Sequence, residues 1–173
     1  MQMNRITLIL FAIAMSPFSL FAKDPIEVGQ AAPAPVVKNQ LGESVDLAAL
    51  YAKGPVVVYF YPRADTPGCT KQACNIRDNY SALQAMGVTV IGVSTDDQKN
   101  QLAFQEKYEL PFTLIADDDK TLGEAFGVGG FLGMAYKRQS FLIVDGKVAW
   151  RDLSASPATQ SEDVIKALKE LGK

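Results

Sequence analysis

The chain of 173 residues contains no histidine and only two cysteines, Cys69 and Cys74. Without an imidazole there is no Ser-His-Asp triad, no histidine general base and no histidine metal ligand, which removes most hydrolase and metalloenzyme chemistries. Two thiols cannot complete a four-cysteine zinc or iron–sulfur site, so neither a metal nor a cofactor is expected. Charge of one sign is lacking too, since 17 Lys and Arg stand against 19 Asp and Glu, a net −2. A nucleic-acid surface needs a basic excess gathered on one face, so no nucleic-acid partner is expected. The only run of three like charges is Asp117, Asp118 and Asp119; no loop of alternating oxygen ligands follows it, and it reads as a solvated turn rather than a cation site. At this length one domain can bury a core without disulfide staples.

The first 22 residues differ from the rest. Arg5 is their only charged side chain, an apolar run from Ile6 to Met15 follows, then Ser16, Pro17, Leu20, Phe21 and Ala22. This reads as a secretory signal peptide cut after Ala22, leaving residues 23–173 as the mature domain and an exported, periplasmic destination. A retained membrane anchor is the competing reading. It needs roughly 20 uninterrupted apolar residues, and Ser16 and Pro17 break this run, so no stable membrane insertion is expected after cleavage. In an oxidising compartment the simplest account of two cysteines is a structural disulfide, which the local sequence has to overturn.

Short extended pieces around Val36 and Val45, separated by a turn at Asn39 to Gly42, predict an N-terminal β-hairpin. Val56 to Tyr61 and Val88 to Val93 are continuous apolar, β-branched or aromatic runs suited to strands buried on both faces. Between them a helix is predicted, with Thr66 as N-cap, Pro67 at its first position, apolar Ala73, Ile76, Tyr80 and Leu83 along one stripe, and Gly87 as its stop. The unit is therefore a parallel βαβ. A second helix capped by Ser94 or Thr95 carries Leu102, Phe104 and Tyr108 and ends before Pro111. A short strand at Phe112 to Ile115 and a short helix at Thr121 to Phe126 follow. Ser140 to Val144 and Lys147 to Arg151 flank the hairpin turn Asp145-Gly146. The last helix presents Val164, Leu168 and Leu171, with Thr159 and Glu162 spaced as a capping box. This order is that of a thioredoxin-like α/β/α sandwich with a central mixed sheet. Trp150 and the aromatics Tyr59 to Tyr61 are assigned to the core, and Arg63 to solvent.

The chemistry concentrates in Tyr61-Pro62-Arg63-Ala64-Asp65-Thr66-Pro67-Gly68-Cys69-Thr70-Lys71-Gln72-Ala73-Cys74. The stretch follows the carboxyl end of a central strand and opens a helix, where open α/β sheets place ligands. Cys69 then lies in the first helical turn, where unpaired backbone N–H groups and the helix dipole favour a thiolate. Five residues apart on an ideal helix, the two α-carbons are roughly 8.7 Å apart. A disulfide wants about 7 Å or less, so the pair closes only if the helix locally unwinds. That argues for two redox states rather than a static staple. It also separates the site from a C-x-x-C oxidoreductase, although a thioredoxin-like thiol-disulfide oxidoreductase and a disulfide-stapled binding module remain the alternatives.

These residues resemble the peroxiredoxin pattern P-x-x-x-T-x-x-C, met by Pro62, Thr66 and Cys69. With the string Thr66-Pro67-Gly68-Cys69-Thr70 and a second cysteine five positions on, the chain is similar to the Q, or bacterioferritin comigratory, subgroup. Tyr59-Phe60-Tyr61-Pro62-Arg63, Gly92-Val93-Ser94, Leu110-Pro111-Phe112, and Arg138 just before Ser140-Phe141-Leu142-Ile143 extend the likeness over most of residues 28 to 171. The resemblance implies a thioredoxin-fold, thiol-dependent peroxidase. Cys69 would be peroxidatic and Cys74 resolving; Thr66, Arg138 and Pro62 would complete the site. It further implies a peroxide substrate, a thioredoxin-like dithiol reductant and, because the resolving cysteine is internal, a monomer.

Overall fold

The computed structural model describes residues 24–131 and 134–172, with the side chain of Phe131 excepted. The expected signal segment lies outside them. Two extended pieces pair antiparallel as β1 (Val36–Lys38) and β2 (Ser44–Asp46). The Asn39 carboxamide shapes the turn between them by accepting from Leu41 N and Glu43 N, both at 2.9 Å. The hairpin runs into a short helix, α1 (Leu47–Tyr51), capped by Asp46. It escaped the sequence reading because only one turn carries the pattern.

The central sheet has five strands: β3 (Val56–Phe60), β4 (Thr89–Ser94), β5 (Thr113–Ala116), β8 (Gln139–Val144) and β9 (Lys147–Asp152), in the order β5-β4-β3-β8-β9. β3, β4 and β5 are parallel, while β8 and β9 run antiparallel to their neighbours. A further antiparallel pair, β6 (Gly130–Phe131) and β7 (Ala135–Tyr136), precedes β8. The turn after β8 is made by Asp145 (φ 51°) and Gly146 (φ 72°), the two positive angles that a two-residue hairpin loop requires.

Period-two alternation sends strand residues to two separate cores. Val56, Val58, Phe60, Ile91, Val93 and Ile115 pack on one face with Leu47 and Tyr51 of α1 and with Leu122 and Phe126 of α5 (Thr121–Phe126). Val57, Tyr59, Tyr61, Val90, Leu114 and Leu142 meet the other helices on the opposite face. These are α2 (Pro67–Asp78), α3 (Tyr80–Ala85), α4 (Gln98–Lys107) and α6 (Gln160–Glu170). The α/β/α sandwich follows, with β3 buried at its centre. Tyr59 and Tyr61 are core residues and Trp150 packs against that core, as expected. Arg63 is exposed.

Four local expectations are corrected. The helix predicted from Thr66 to Gly87 breaks at Asn79, whose φ of −107° and ψ of 10° leave the helical region. Its side-chain amide donates to Asn75 O at 3.0 Å and so competes for a helical acceptor. The apolar stripe carries across the break because α3 resumes in phase and buries Leu83. Asp97, not Ser94 or Thr95, caps α4, accepting from Asn100 N at 2.8 Å; Ser94 is consumed in the interior, where it donates to Asp96 and accepts from Gln101. The Thr159–Glu162 capping box does not form: the Thr159 hydroxyl donates to Asp163, and Glu162 accepts from Asn75 of α2. Finally, the acidic triplet is not wholly solvated. Asp117 is buried and accepts from Leu122 N, Gly123 N and the Tyr136 hydroxyl. Burial pushes its carboxyl above the usual aspartate range against the pull of those donors.

Candidate active site

β3 runs into Tyr61, whose N–H still bonds to Val93 O, and delivers the loop 62–66 to the start of α2. Buried polar groups fix that loop from beneath. The Tyr61 hydroxyl donates to Gln101; Gln101 donates to Ser94 Oγ, Ser94 donates to Asp96, and Asp96 accepts from Ala64 N at 2.7 Å. At the exposed side Asp65, with a φ of 55°, accepts from Lys107 and from the Tyr108 hydroxyl. These bonds hold its carboxyl below the usual range. The loop is thus tied to β4 and α4 before the helix begins.

Pro67 opens α2, where its missing N–H is no loss and its fixed φ suits a helix. Thr66 occupies the N-cap position with extended backbone, φ −97° and ψ 153°, but its side chain does not cap. The hydroxyl donates backwards to Arg63 O at 3.0 Å. The hydroxyl therefore accepts no capping N–H, correcting the expectation of a capping threonine. Pro62 opens the same loop and is partly exposed.

Cys69 is 2% exposed, in the first turn of α2, and packs in the same core as Tyr59, Tyr61 and Ala73. Arg138, 69 residues later and immediately before β8, reaches it: Nη2 stands 3.4 Å from Cys69 Sγ. The approach depends on Gly68, where a Cβ would lie 3.2 Å from Arg138 Nη2 and push the guanidinium back. The guanidinium thus stands as a charged donor beside the sulfur at the N-terminus of α2. Cys74 is half-buried further along the same unbroken helix, and both thiols are free. The structure therefore brings Arg138 to Cys69, with Pro62 and Thr66 in the loop that leads into the same turn, while Cys74 stands further along the helix.

Residues the sequence reading did not single out complete the surroundings. Gln72, fully buried, accepts from Arg138 and donates to Gln160 at 2.7 Å. The Tyr59 hydroxyl is buried with no hydrogen-bond partner among the described residues. Gly92 makes room for it, since a Cβ there would come within 2.6 Å of the phenol oxygen. Burial pushes Tyr59 well above the usual phenol range, so it stays neutral and is not a base. No signal in the sequence marks these glutamines, because polar residues in an amphipathic helix normally face water.

Residues 28–151 match the AhpC/TSA family. Peroxiredoxin Bcp of Escherichia coli is 46% identical over 132 residues, covering 72% of this chain and 84% of that protein. A Bcp peroxiredoxin of Coxiella burnetii is 47% identical over 124 residues, 68% of this chain and 82% of that one. Among solved structures, peroxidoxin BcpB of Mycobacterium tuberculosis superimposes with a TM-score of 0.79 at 33% identity, covering 84% of this chain and 97% of that chain. The bacterioferritin comigratory protein of Xanthomonas campestris, described for its alkyl peroxide reduction, gives a TM-score of 0.75 at 27% identity over 83% of this chain and 100% of that one. A cysteine at a helix N-terminus under an arginine, in a chain with these relatives, has one reading: the chain belongs to the AhpC/TSA family, in its peroxiredoxin Q or bacterioferritin comigratory branch, and is a thiol-dependent peroxidase.

Proposed function

We propose that the enzyme reduces hydrogen peroxide and organic hydroperoxides through a sulfenic acid on Cys69 and a Cys69–Cys74 disulfide. The observation that carries this reading is the 3.4 Å approach of Arg138 to the sulfur of a cysteine in the first turn of α2. The Cys69 thiolate attacks the nearer peroxide oxygen in line with the O–O bond. A sulfur–oxygen bond forms, the O–O bond breaks with its electron pair on the departing oxygen, and that oxygen leaves as water or an alcohol after taking up a proton. Charge builds on both oxygens, so fixed donors lower the barrier. Arg138 and the Cys69 N–H are the donors in place. Thr66, whose hydroxyl proton is given to Arg63 O, offers lone pairs to the peroxide proton. Pro62 shields the sulfur from bulk water.

The Cys74 thiolate then attacks the sulfenic sulfur; the S–S bond forms as the S–O bond breaks, and the oxygen leaves as water after taking up a proton. Because α2 is continuous from Pro67 to Asp78, this step needs the first part of the helix to unwind. A thioredoxin-type dithiol reduces the disulfide by exchange. The substrate range extends to alkyl hydroperoxides by analogy with the Xanthomonas protein's described activity. An internal partner thiol lets a monomer complete the cycle. The leader-like residues 1–22 support export to the periplasm, with the peroxidase domain over residues 23–173; a mature N-terminus at Lys23 in exported protein is the expected finding. The missing C-x-x-C disfavours a thioredoxin-like oxidoreductase.

Peroxide consumption with a dithiol reductant tests the chemistry. Cys69→Ser is expected to abolish it. Cys74→Ser is expected to reduce one equivalent of peroxide, hold a trappable sulfenic acid, and stall. Activity surviving Cys69→Ser overturns the reading.

A further inference from the structure

The arginine that faces Cys69 is held by a buried relay that begins on a different helix. Arg138 can only donate, so the Gln72 atom it bonds is the carbonyl Oε1, which leaves Gln72 Nε2 as a donor. That amide donates to Gln160 Oε1 at 2.7 Å, and the Ser140 hydroxyl donates to the same oxygen at 3.0 Å. The orientation of Gln160 is thereby dictated from Arg138 outward. Its own Nε2 is turned away, buried and without a partner among the described residues. An unpaired buried donor is costly, and here the cost is offset only by the two bonds accepted on Oε1. Gln72, Ser140 and Gln160 are each at most 1% exposed, so water does not compete for these bonds. The same segment grips Arg138 by its main chain, through Ala155 N to Arg138 O at 3.1 Å.

We propose that Gln160, the first residue of α6, is a positioning residue for the peroxidase reaction: through Gln72 it sets the guanidinium of Arg138 against the Cys69 sulfur. Gln160 reaches the guanidinium through this relay. The guanidinium is tethered at two ends, by Cys69 through Nη2 and by Gln72 through Nη1. Loss of the acceptor on Gln160 frees Gln72 to turn, and Arg138 loses the second tether. Gln72 lies between the two cysteines, so unwinding of α2 dismantles the relay and releases the arginine together with the thiol.

The inference rests on the proposed role of Arg138, and the test separates the two. The rate of Cys69 oxidation by hydrogen peroxide, and the fraction of Cys69 present as thiolate at neutral pH by ultraviolet absorbance, are measured in wild type, Gln160→Met, Ser140→Ala, Arg138→Met and the double variant Arg138→Met/Gln160→Met. Gln160→Met is expected to lower the rate about tenfold and to lower the thiolate fraction, an effect typical of a coupled hydrogen-bond network. Ser140→Ala, a small change that leaves the core intact, is expected to act in the same direction and more weakly. In the Arg138→Met background the Gln160 change is expected to cost nothing further. Wild-type rate and thiolate fraction in Gln160→Met overturn the proposal, as does a full additional loss in the double variant, the mark of general structural damage. An unaffected Arg138→Met instead removes the role of Arg138 on which the relay depends.

Discussion

The two ends of α2 are held in different ways. At its start the cap side chain makes no capping bond, the hydroxyl of Thr66 points back to Arg63 O, and Cys69, though packed in the core, has among the described residues one side-chain hydrogen bond, from Arg138. Past Cys74 the helix is clamped to the start of α6. The Asn75 amide donates to Ala158 O at 3.0 Å and to Glu162 at 3.1 Å, and accepts from Ser161 N and Ser161 Oγ, both at 2.9 Å. Ser161 Oγ also reaches Asn75 O. One cysteine therefore sits where few bonds oppose unwinding and the other beside a polar clamp. Local opening follows the least protected backbone. For the proposed disulfide, Cys69 is therefore expected to be the thiol that travels and Cys74 the target held in place.

Consequences for each end can be ordered by size. At the loose end, Arg138→Met removes the donor nearest the reacting atoms and is expected to slow Cys69 oxidation about 100-fold, the scale of a lost transition-state donor. Stopped-flow peroxide kinetics measure it, and a loss under threefold breaks the assignment of that end as the reactive one. At the clamped end, Asn75→Ala is expected to lower stability by about 2 kcal/mol, through its lost bonds and the unpaired Ser161 N–H, in chemical denaturation. The rate of disulfide formation after a peroxide pulse should change less than twofold, because the clamp persists in the open state. Marked acceleration would mean that opening runs into the clamp.

Thr66→Val distinguishes the two ends more finely. A capping threonine would cost about 1 kcal/mol when lost. Since this hydroxyl does not cap, the stability change is expected to be a few tenths of that, while peroxide reactivity falls about tenfold with the loss of its lone pairs. A cost near 1 kcal/mol would restore the capping role. The smallest effect concerns acid. Asn75 bonding holds the Glu162 carboxyl below the usual glutamate range. A depressed folded value means that Glu162 stabilises the clamp above the ordinary carboxylate range and loses that contribution as pH falls through the depressed value. Glu162→Gln should therefore flatten slightly the acid limb of the stability curve, and an unchanged limb would remove Glu162 from the clamp.

The loose end was legible in the sequence and the clamp was not. Pro62, Thr66, Cys69 and Cys74 lie in one short stretch whose strand-to-helix context assigns them a place. Arg138 was reached only through resemblance, since nothing local distinguishes it from a surface base. Asn75, Gln72 and Gln160 read as ordinary polar positions on amphipathic helices, and only the packing of α6 on α2 shows that they face each other. The capping errors share that cause. Thr159 and Glu162 have capping-box spacing, but tertiary partners outcompeted the local ones: Glu162 turned to α2. Gln101 and Tyr136 likewise draw Ser94 and Asp117 inward, so the cap of α4 falls later than the local sequence suggests and the Asp117 carboxylate is buried.

Amide hydrogen exchange, compared residue by residue between the reduced protein and the Cys69–Cys74 disulfide, tests the difference between the two ends most directly. Oxidation is expected to abolish protection from Thr70, the first residue bonded in the helix, through Arg77, whose acceptor is Ala73 O, and to leave it intact at Asp78 and at the start of α6. Protection lost at Asp78 and Ser161 as well, or retained from Thr70 to Ala73 in the oxidised protein, would contradict this difference between the two ends.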